Sequence, residues 1–253
     1  MPVYKAEAIV LRRTNLGEAD RLVTLFARDQ GKLAVVAKGA RKPKSRFAGR
    51  LELFTHLRVL LGVGRNLDVV SQIEVVDAFA PLRADLRRVG YASLVVELTD
   101  RATADREPAP ELFRALRSAL ALMREGDPEV AAMWFAARLL VLTGYAPLVG
   151  RCQVCGRPVK GAAVFSLALG GTLCESDRAR DMEAVPASAA ALQTIGFLLQ
   201  AAPAVLPRLS LDARQRGELG TLLQRYLEYR LETKLRSPVV IRRLTERGST
   251  QIG

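Results

Sequence analysis

The spacing of apolar residues changes near Pro81, and that change limits the possible folds more than any single motif does. Before it the period is two. Val3 to Leu11 alternates, with Tyr4, Ala6, Ala8 and Val10 on one side, and Arg21 to Ala27 sets Leu22, Thr24 and Phe26 against Val23 and Leu25. Leu33 to Ala37 is a short apolar run, and Leu51–Leu61 and Leu67–Val76 flank the glycine-bearing stretch 62–66 as a hairpin. Asn15-Leu16-Gly17 and Asp29-Gln30-Gly31-Lys32 supply turn residues that tolerate positive φ. Five strands in the first eighty residues predict a small barrel, OB-type or SH3-like, and the long gap between the third and fourth strands takes the place of a connecting segment.

After Pro81 the period is helical. Leu86, Val89, Tyr91, Leu94, Val95 and Leu98 recur at spacings of three and four, and Leu112, Leu116, Leu120 and Met123 repeat the pattern after a loop at Asp105 to Pro110. Asp127-Pro128 is positioned to cap a third helix, whose Trp134, Phe135, Leu139, Leu140 and Leu142 run to Gly144. Later helices are expected over 187–201 and 211–235. This predicts an α+β multidomain chain: a barrel over 1–80, a helical domain formed by 81–150 and 181–253, and a cysteine-containing insert at 151–180. The stretch 184–207 carries no charge, but it is built mostly on Ala and broken by Pro186, Pro203 and Pro207, so it reads as a buried helix and not a membrane span. The N-terminal MPVYKAEAIV lacks the apolar h-region of a signal peptide, which places the protein in the cytoplasm.

The 253 residues include 38 basic and 26 acidic ones, a net charge of +12. Such an excess implies a polyanionic partner, most often nucleic acid. The charge sits at the ends, with 14 basic and 8 acidic residues over 1–80 and 10 against 5 over 186–253. Its densest run is 38–50, with Lys38, Arg41, Lys42, Lys44, Arg46 and Arg50 and no acidic residue. A basic run can be only a solvated, flexible loop. Beside a barrel edge, with Phe47 as a ring that either stacks on bases or joins the core, it also suits a single-strand groove. Arg12, Arg13 and Arg65 lie at turns or strand ends of the same domain and extend that expected DNA-binding surface, ranking below the loop. A second basic stretch, Arg214, Arg216, Arg225, Arg230, Lys234 and Arg236, is interleaved with Leu222, Leu223, Tyr226, Leu227, Tyr229 and Leu231. It reads as the wet face of an amphipathic helix or as a second DNA contact, and Arg242, Arg243 and Arg247 continue it.

All three cysteines fall in the insert. Cys152-x-x-Cys155-Gly156 and, eighteen residues on, Cys174-Glu175-Ser176-Asp177 have the spacing of a zinc ribbon, with Asp177 in the fourth ligand position. The alternative is three reduced core thiols beside an incidental carboxylate. No deaminase-type Glu motif accompanies the pair, so the site reads as structural. His56 is the one histidine in the chain, which leaves no triad, and neither a P-loop nor a three-glycine dinucleotide turn is present.

With these residues noted, the chain resembles the bacterial RecO recombination mediator family. The match rests on Glu7-Ala8-Ile9-Val10-Leu11, Gly17-Glu18-Ala19-Asp20, Gly31-Lys32-Leu33, Lys38-Gly39-Ala40-Arg41-Lys42, Ser45-Arg46-Phe47, Gly49-Arg50-Leu51-Glu52, and Leu139 to Gly156. The resemblance implies an N-terminal OB-fold, a helical domain with an inserted zinc-ribbon region, and no enzymatic activity. It implies a nucleoid-associated DNA repair and recombination protein that binds single- and double-stranded DNA and anneals complementary strands, including those coated with single-stranded DNA-binding protein (SSB). Its implied partners are RecR, the acidic, apolar-ended C-terminal tail of SSB and, indirectly, RecA. Carried onto these residues, it assigns DNA contact to Lys38, Arg41, Lys42, Lys44 and Arg46, and one structural Zn2+ to Cys152, Cys155 and Cys174, with Asp177 standing where cysteine is usual. The reading from another class is a basic RNA- or protein-binding adaptor with a structural zinc ribbon.

Overall fold

A computed structural model describes residues 2–161 and 163–242; Arg243 and Arg247, the end of the expected basic tail, lie outside the described residues. The N-terminal strands are β1 (Val3–Leu16), β2 (Asp20–Ala27), β3 (Gly31–Ala37), β4 (His56–Gly62) and β5 (Asp68–Asp77). They close into a barrel in the order β1-β2-β3-β5-β4, which is the OB arrangement of the two expected.

Closure depends on β1 serving two neighbours. Residues Val3 to Ile9 pair antiparallel with β4, and Ala8 to Leu16 pair antiparallel with β2. The register slips between Val10 and Arg12, a bulge that bends the strand around the barrel. The alternation alone ends the strand at Leu11, because the bulge breaks the period and Arg12 to Asn15 are polar. Ala6, Ala8, Val10, Val23, Leu25, Leu33 and Val35 fill the interior. β4 begins at His56 and not at Leu51, because Phe54 sits at φ 73° and the Thr55 N–H donates back to the Glu52 carbonyl. The apolar Leu51 and Phe54 that suggested a strand are buried in a turn.

Three helices follow: α1 (Ala80–Ala84), α2 (Leu86–Ala102) and α3 (Pro110–Glu125). Asp85 caps α2 by accepting from the Arg88 N–H. The buried side of α3 carries the expected Leu112, Leu116, Leu120 and Met123, and its Phe113 packs on Phe26 of β2 with ring centroids 6.2 Å apart. β3 and β5 meet in parallel through only Val35–Asp68 and Val36–Val69, and the α2–α3 connection braces β3 beside that junction. The Arg106 N–H donates to the Lys32 carbonyl at 2.9 Å, and Lys32 Nζ donates to the carbonyls of Asp100 and Thr103 at 2.8 Å each, satisfying the C-terminal end of α2. Asp68, buried at β5, accepts from Tyr4 Oη at 2.5 Å, Arg106 at 2.9 Å and the Gly64 N–H at 3.2 Å. Burial works to raise the Asp68 pKa, but these donors outweigh it and hold the carboxyl below its ordinary value, while burial and Asp68 push Tyr4 up to about 12.

The described residues divide into two packing units, one holding the barrel, α1 to α3 and residues 237–242, the other Gly126–Arg236. The boundary falls inside the stretch that periodicity groups as one helical domain. In the second unit α4 (Pro128–Leu142) is apolar on every side and correspondingly buried, packed by α5 (Ala189–Gln200) and α6 (Ala213–Arg230). Trp134 Nε1 donates to the Ala201 carbonyl at 2.9 Å, and Arg216 of α6 pairs with Asp127 at 2.6 Å and Glu129 at 3.2 Å. Ser188 caps α5, whose neutral sequence lies within the expected 187–201. Among the described residues no helix is long and apolar enough to cross a membrane. α6 stops at Arg230 and not at 235, since Glu232 turns to φ 48° without a glycine to announce it. Between α4 and α5 lies a three-stranded sheet in the order β7-β6-β8, made by β6 (Ala163–Ser166), β7 (Gly171–Leu173) and β8 (Val185–Ala187).

Two substitutions test the brace at β3 and β5. Gly31 sits at φ 70°, and the backbone of Glu107 fills the space a Cβ would need, whereas Gly49 has the same φ and open space. Gly49→Ala is therefore expected to cost about 1 kcal/mol and Gly31→Ala at least about twice that in urea unfolding. Asp68→Asn is expected to cost about 2 kcal/mol at neutral pH, a figure discounted because Arg106 is largely exposed. A depressed carboxylate pKa stabilises above its unfolded value of about 3.9, so the gap between intact chain and variant should hold above about pH 5 and close as pH falls below 4.

Candidate nucleic-acid interface and metal centre

The basic segment 38–50 is a run of turns stitched to the barrel. Ala40, Phe47 and Leu51 enter the barrel core, with Phe47 only 5% exposed. Successive backbone bonds, Lys42 N–H to Gly39, Ser45 N–H to Lys42, Ala48 N–H to Ser45 and Arg50 N–H to Phe47, coil the chain between these anchors. The segment is also tied to the β1–β2 turn, where Asp20 accepts from the Gly39 N–H at 2.7 Å and the Ala19 carbonyl accepts from the Arg41 N–H at 2.9 Å. The segment is thus a series of hydrogen-bonded turns anchored in the core, with its cations in solvent.

All six cations of the segment are exposed. Arg41 donates to the Gly17 carbonyl at 2.8 Å, Arg50 to the Ile73 carbonyl at 3.2 Å, and the Arg46 guanidinium lies 4.8 Å from the Phe47 ring centroid. Carbonyls and a ring face orient these groups without cancelling their charge. Lys38, Lys42 and Lys44 have no ion-pair partner among the described residues. Arg12 and Arg13, on β1, meet carboxylates instead: Arg12 reaches Asp100 at 3.7 Å, and Arg13 pairs with Glu52, which Arg21 also approaches at 3.6 Å. Arg65 is exposed in the β4–β5 turn.

The structure settles Phe47 as a core residue and not a stacking platform. The other barrel phenylalanines, Phe26 and Phe54, are buried too, and Tyr4 has its hydroxyl on Asp68. Among the described residues the barrel offers phosphates a dense cationic surface and offers bases no exposed aromatic face. His56 is a satisfied core histidine. Its Nε2 lies 2.9 Å from Glu7 Oε1, its ring contacts Phe113, and burial lowers its pKa.

The metal-ligand set also assembles. One ligand atom from each of Cys152, Cys155, Cys174 and Asp177 lies within 4.8 Å of all the others. Cys155 Sγ and Cys174 Sγ are 3.7 Å apart, and Asp177 Oδ2 is 3.2 Å from Cys152 Sγ and 3.1 Å from Cys174 Sγ. A tetrahedral ion with Zn–S bonds of about 2.3 Å spaces its sulfurs about 3.8 Å apart, so the set fits such an ion. Each pair sits on a tight turn. The Gly156 N–H returns to the Cys152 carbonyl with Gly156 at φ 71°, and the Asp177 N–H returns to the Cys174 carbonyl at the start of a 3-10 turn. The Thr172 carbonyl accepts from the Gln153 N–H at 2.8 Å, docking the first turn onto β7, which leads into Cys174.

Thiols of Cys155, Cys174 and Cys152 draw the Asp177 carboxyl down to about 2, and Asp177 in turn pushes Cys174 up to about 11. Burial opposes ionisation of Cys152, but neighbouring backbone N–H groups prevail and lower its pKa. Arg157, which the sequence reading passed over, donates to Cys155 Sγ at 3.3 Å and reaches Cys174 Sγ at 4.0 Å. A dication held by three thiolates and a carboxylate is a net dianion, and Arg157 offsets part of that charge.

The expected basic face of α6 is partly spent on packing. Arg216 is paired as described, Lys234 pairs with Glu228 at 2.9 Å, and Arg230 lies 5.1 to 5.5 Å from the ring centroids of Tyr145, Tyr226 and Tyr229. Arg214 and Arg225 remain on its exposed side.

Comparison with known proteins gives one consistent result. Residues 1–79 match the family model for the recombination protein O N terminal, and residues 83–238 match that for its C terminal. A DNA repair protein RecO from Pelotomaculum thermopropionicum is 39% identical over 94% of this chain and 93% of its own length. Those of Desulforudis audaxviator and Bifidobacterium adolescentis are each 38% identical, over 96% and 94% of this chain and 98% of their own lengths.

The metal centre gives a direct test. The full chain is expected to bind one Zn2+, and Cys155→Ser to lose it, by metal analysis after gel filtration. Asp177→Cys should hold zinc at least about tenfold more tightly against a chelating competitor, since a thiolate replaces the single carboxylate. Equal retention by Asp177→Ala and the intact chain would remove Asp177 from the ligand set.

Proposed function

The chain belongs to the RecO family, and from that premise we propose that it is a non-enzymatic DNA-binding mediator of recombination in DNA repair. It binds single- and double-stranded DNA, anneals complementary strands including SSB-coated ones, and acts with RecR to help load RecA. The observation that carries this reading is the segment 38–50, whose six cations are exposed at the barrel surface, Arg41, Arg46 and Arg50 oriented by carbonyls and a ring and Lys38, Lys42 and Lys44 without an ion-pair partner among the described residues. Two phosphate chains repel each other. A surface that replaces their counterions lets strands approach until base pairing takes over, and it needs no nucleotide hydrolysis.

Backbone contact without stacking supports binding that is indifferent to sequence and tolerant of duplex as well as single strand. Within this reading Lys38, Arg41, Lys42, Lys44, Arg46 and Arg50 carry the contact, and Arg12 and Arg13, facing carboxylates, add less. The three-part division into a barrel over 1–80, a helical domain of 81–150 with 181–253 and a ribbon at 151–180 belongs to the same proposal. So do the SSB tail as a partner and a cytoplasmic, nucleoid-associated location. Zn2+, held by Cys152, Cys155, Cys174 and Asp177, would supply a structural cross-link to the ribbon.

The test is nucleotide-free annealing of two complementary labelled strands, each precoated with SSB. The intact chain is expected to accelerate annealing, and a variant with Lys38, Arg41, Lys42 and Lys44 changed to Glu to lose at least about tenfold in rate. The log–log salt slope of binding should be on the order of four to six, and Lys42→Glu with Lys44→Glu should flatten it by about two. Equal annealing and an unchanged slope would remove the segment from the interface, and a clear preference for RNA of equal length would favour an RNA adaptor.

A further inference from the structure

We propose that the ribbon carries a second site for an unpaired DNA strand, in a groove flanked by Lys160 and Arg178. The groove has a volume of about 400 Å3 and lies on the ribbon. Its apolar wall includes Pro158, Val159 and Pro186, and Glu175 is the one carboxylate on its lining. Both flanking cations are exposed, and neither has an ion-pair partner among the described residues.

Cations that have no internal task distinguish the ribbon from α6. On α6, Arg216 pairs with Asp127 and Arg230 lies among tyrosine rings, so the helix keeps only Arg214 and Arg225 on its exposed side, and Lys234 beyond its end is paired with Glu228. On the ribbon, Lys160, Arg178 and Arg180 are exposed with no ion-pair partner among the described residues, and of the nearby acids Asp177 and Asp181 are engaged while Glu175 and Glu183 are exposed. Asp177 faces the cysteine sulfurs, and Asp181 accepts from Ser166 Oγ at 2.5 Å and from the Glu183 N–H at 2.9 Å. A groove with cations at its margin and an apolar wall suits a splayed nucleotide, whose phosphates meet Lys160 and Arg178 while its base covers the prolines and Val159. The exposed cations beyond the groove suit a chain of regularly spaced anions better than a short acidic cluster on a peptide. This inference rests on the DNA-binding reading and adds to it a place for the second strand of an annealing pair.

Two measurements on the full-length protein test it. In the first, acetylation of Lys160 is followed by mass spectrometry with and without saturating oligo-dT, while fluorescence anisotropy of the same labelled oligo-dT reports binding by the whole chain. At least fivefold slower acetylation of Lys160 is expected. In the second, Lys160→Glu with Arg178→Glu should slow annealing about tenfold and lower oligo-dT affinity less than threefold, while Arg214→Glu with Arg225→Glu should leave annealing unchanged. Lys160→Gln with Arg178→Gln gives the same ordering if the charge reversal reduces zinc content or thermal stability. Oligo-dT bound by anisotropy with Lys160 acetylated at its free rate would overturn the ribbon site and leave the DNA-binding reading intact. Protection of Lys160 by an acidic peptide and not by oligo-dT would also overturn it. Absence of any oligo-dT binding would sink the DNA-binding reading itself.

Discussion

The barrel interior must be filled, and five short strands do not fill it alone. Ala6 and Ala8 on β1 are small, and the remaining space is taken by Ala40, Phe47 and Leu51 from the segment that crosses between β3 and β4. Burying a phenylalanine and a leucine contributes on the order of 2–3 kcal/mol each. That gain holds the cations between them against their mutual repulsion. Lys38, Lys42 and Lys44 cannot move apart freely, because the residues among and beside them are fastened in the core and to the β1–β2 turn. The packing of the barrel and the charge density of its surface are therefore one constraint.

The kind of partner each arginine meets decides what it can do. Arg41 and Arg50 are oriented by carbonyls, which are dipoles and leave a full positive charge facing solvent. Arg13 meets Glu52, and Arg106 meets the buried Asp68, so their charge is largely answered within the chain. Residues of one type in one domain thus separate into those that close the barrel and those open to an anion. Exposure alone does not separate them, since Arg106 is more than half exposed and still spends its guanidinium on Asp68.

The ribbon shows the same economy at small scale. Its core is little more than Cys152, Val164 and Leu173, with Val159, Cys174 and Ala184 packed around them. A cluster of that size needs a cross-link, and the four donors converge where the two turns face each other. From its other side the sheet reaches α6, where Phe165 meets Tyr226 edge to face at 5.2 Å and Arg230 donates to the Ala168 carbonyl. One end of α6 therefore supports the ribbon, which is why its cations are not all free.

Much of this was legible in the amino-acid sequence. The switch of period at Pro81, the turn glycines, the basic run and the two cysteine turns are local signals, and local geometry decides them. They predicted a five-stranded barrel, the helices that follow it and the four side chains that lie together in the insert, while the family came from the resemblance carried by the residue strings between Glu7 and Glu52 and from Leu139 to Gly156. The bulge in β1, the buried turn at Leu51 to Thr55 and the end of α6 at Arg230 were not legible, because each is a backbone departure that distant packing imposes on ordinary residues. The same holds for Phe47, whose ring could have faced bases or core. The sequence by itself determined which residues carry charge, sulfur and apolar surface. Only the tertiary structure decided which charges are cancelled, because a carboxylate or carbonyl reaches an arginine through space and not through its neighbours along the chain.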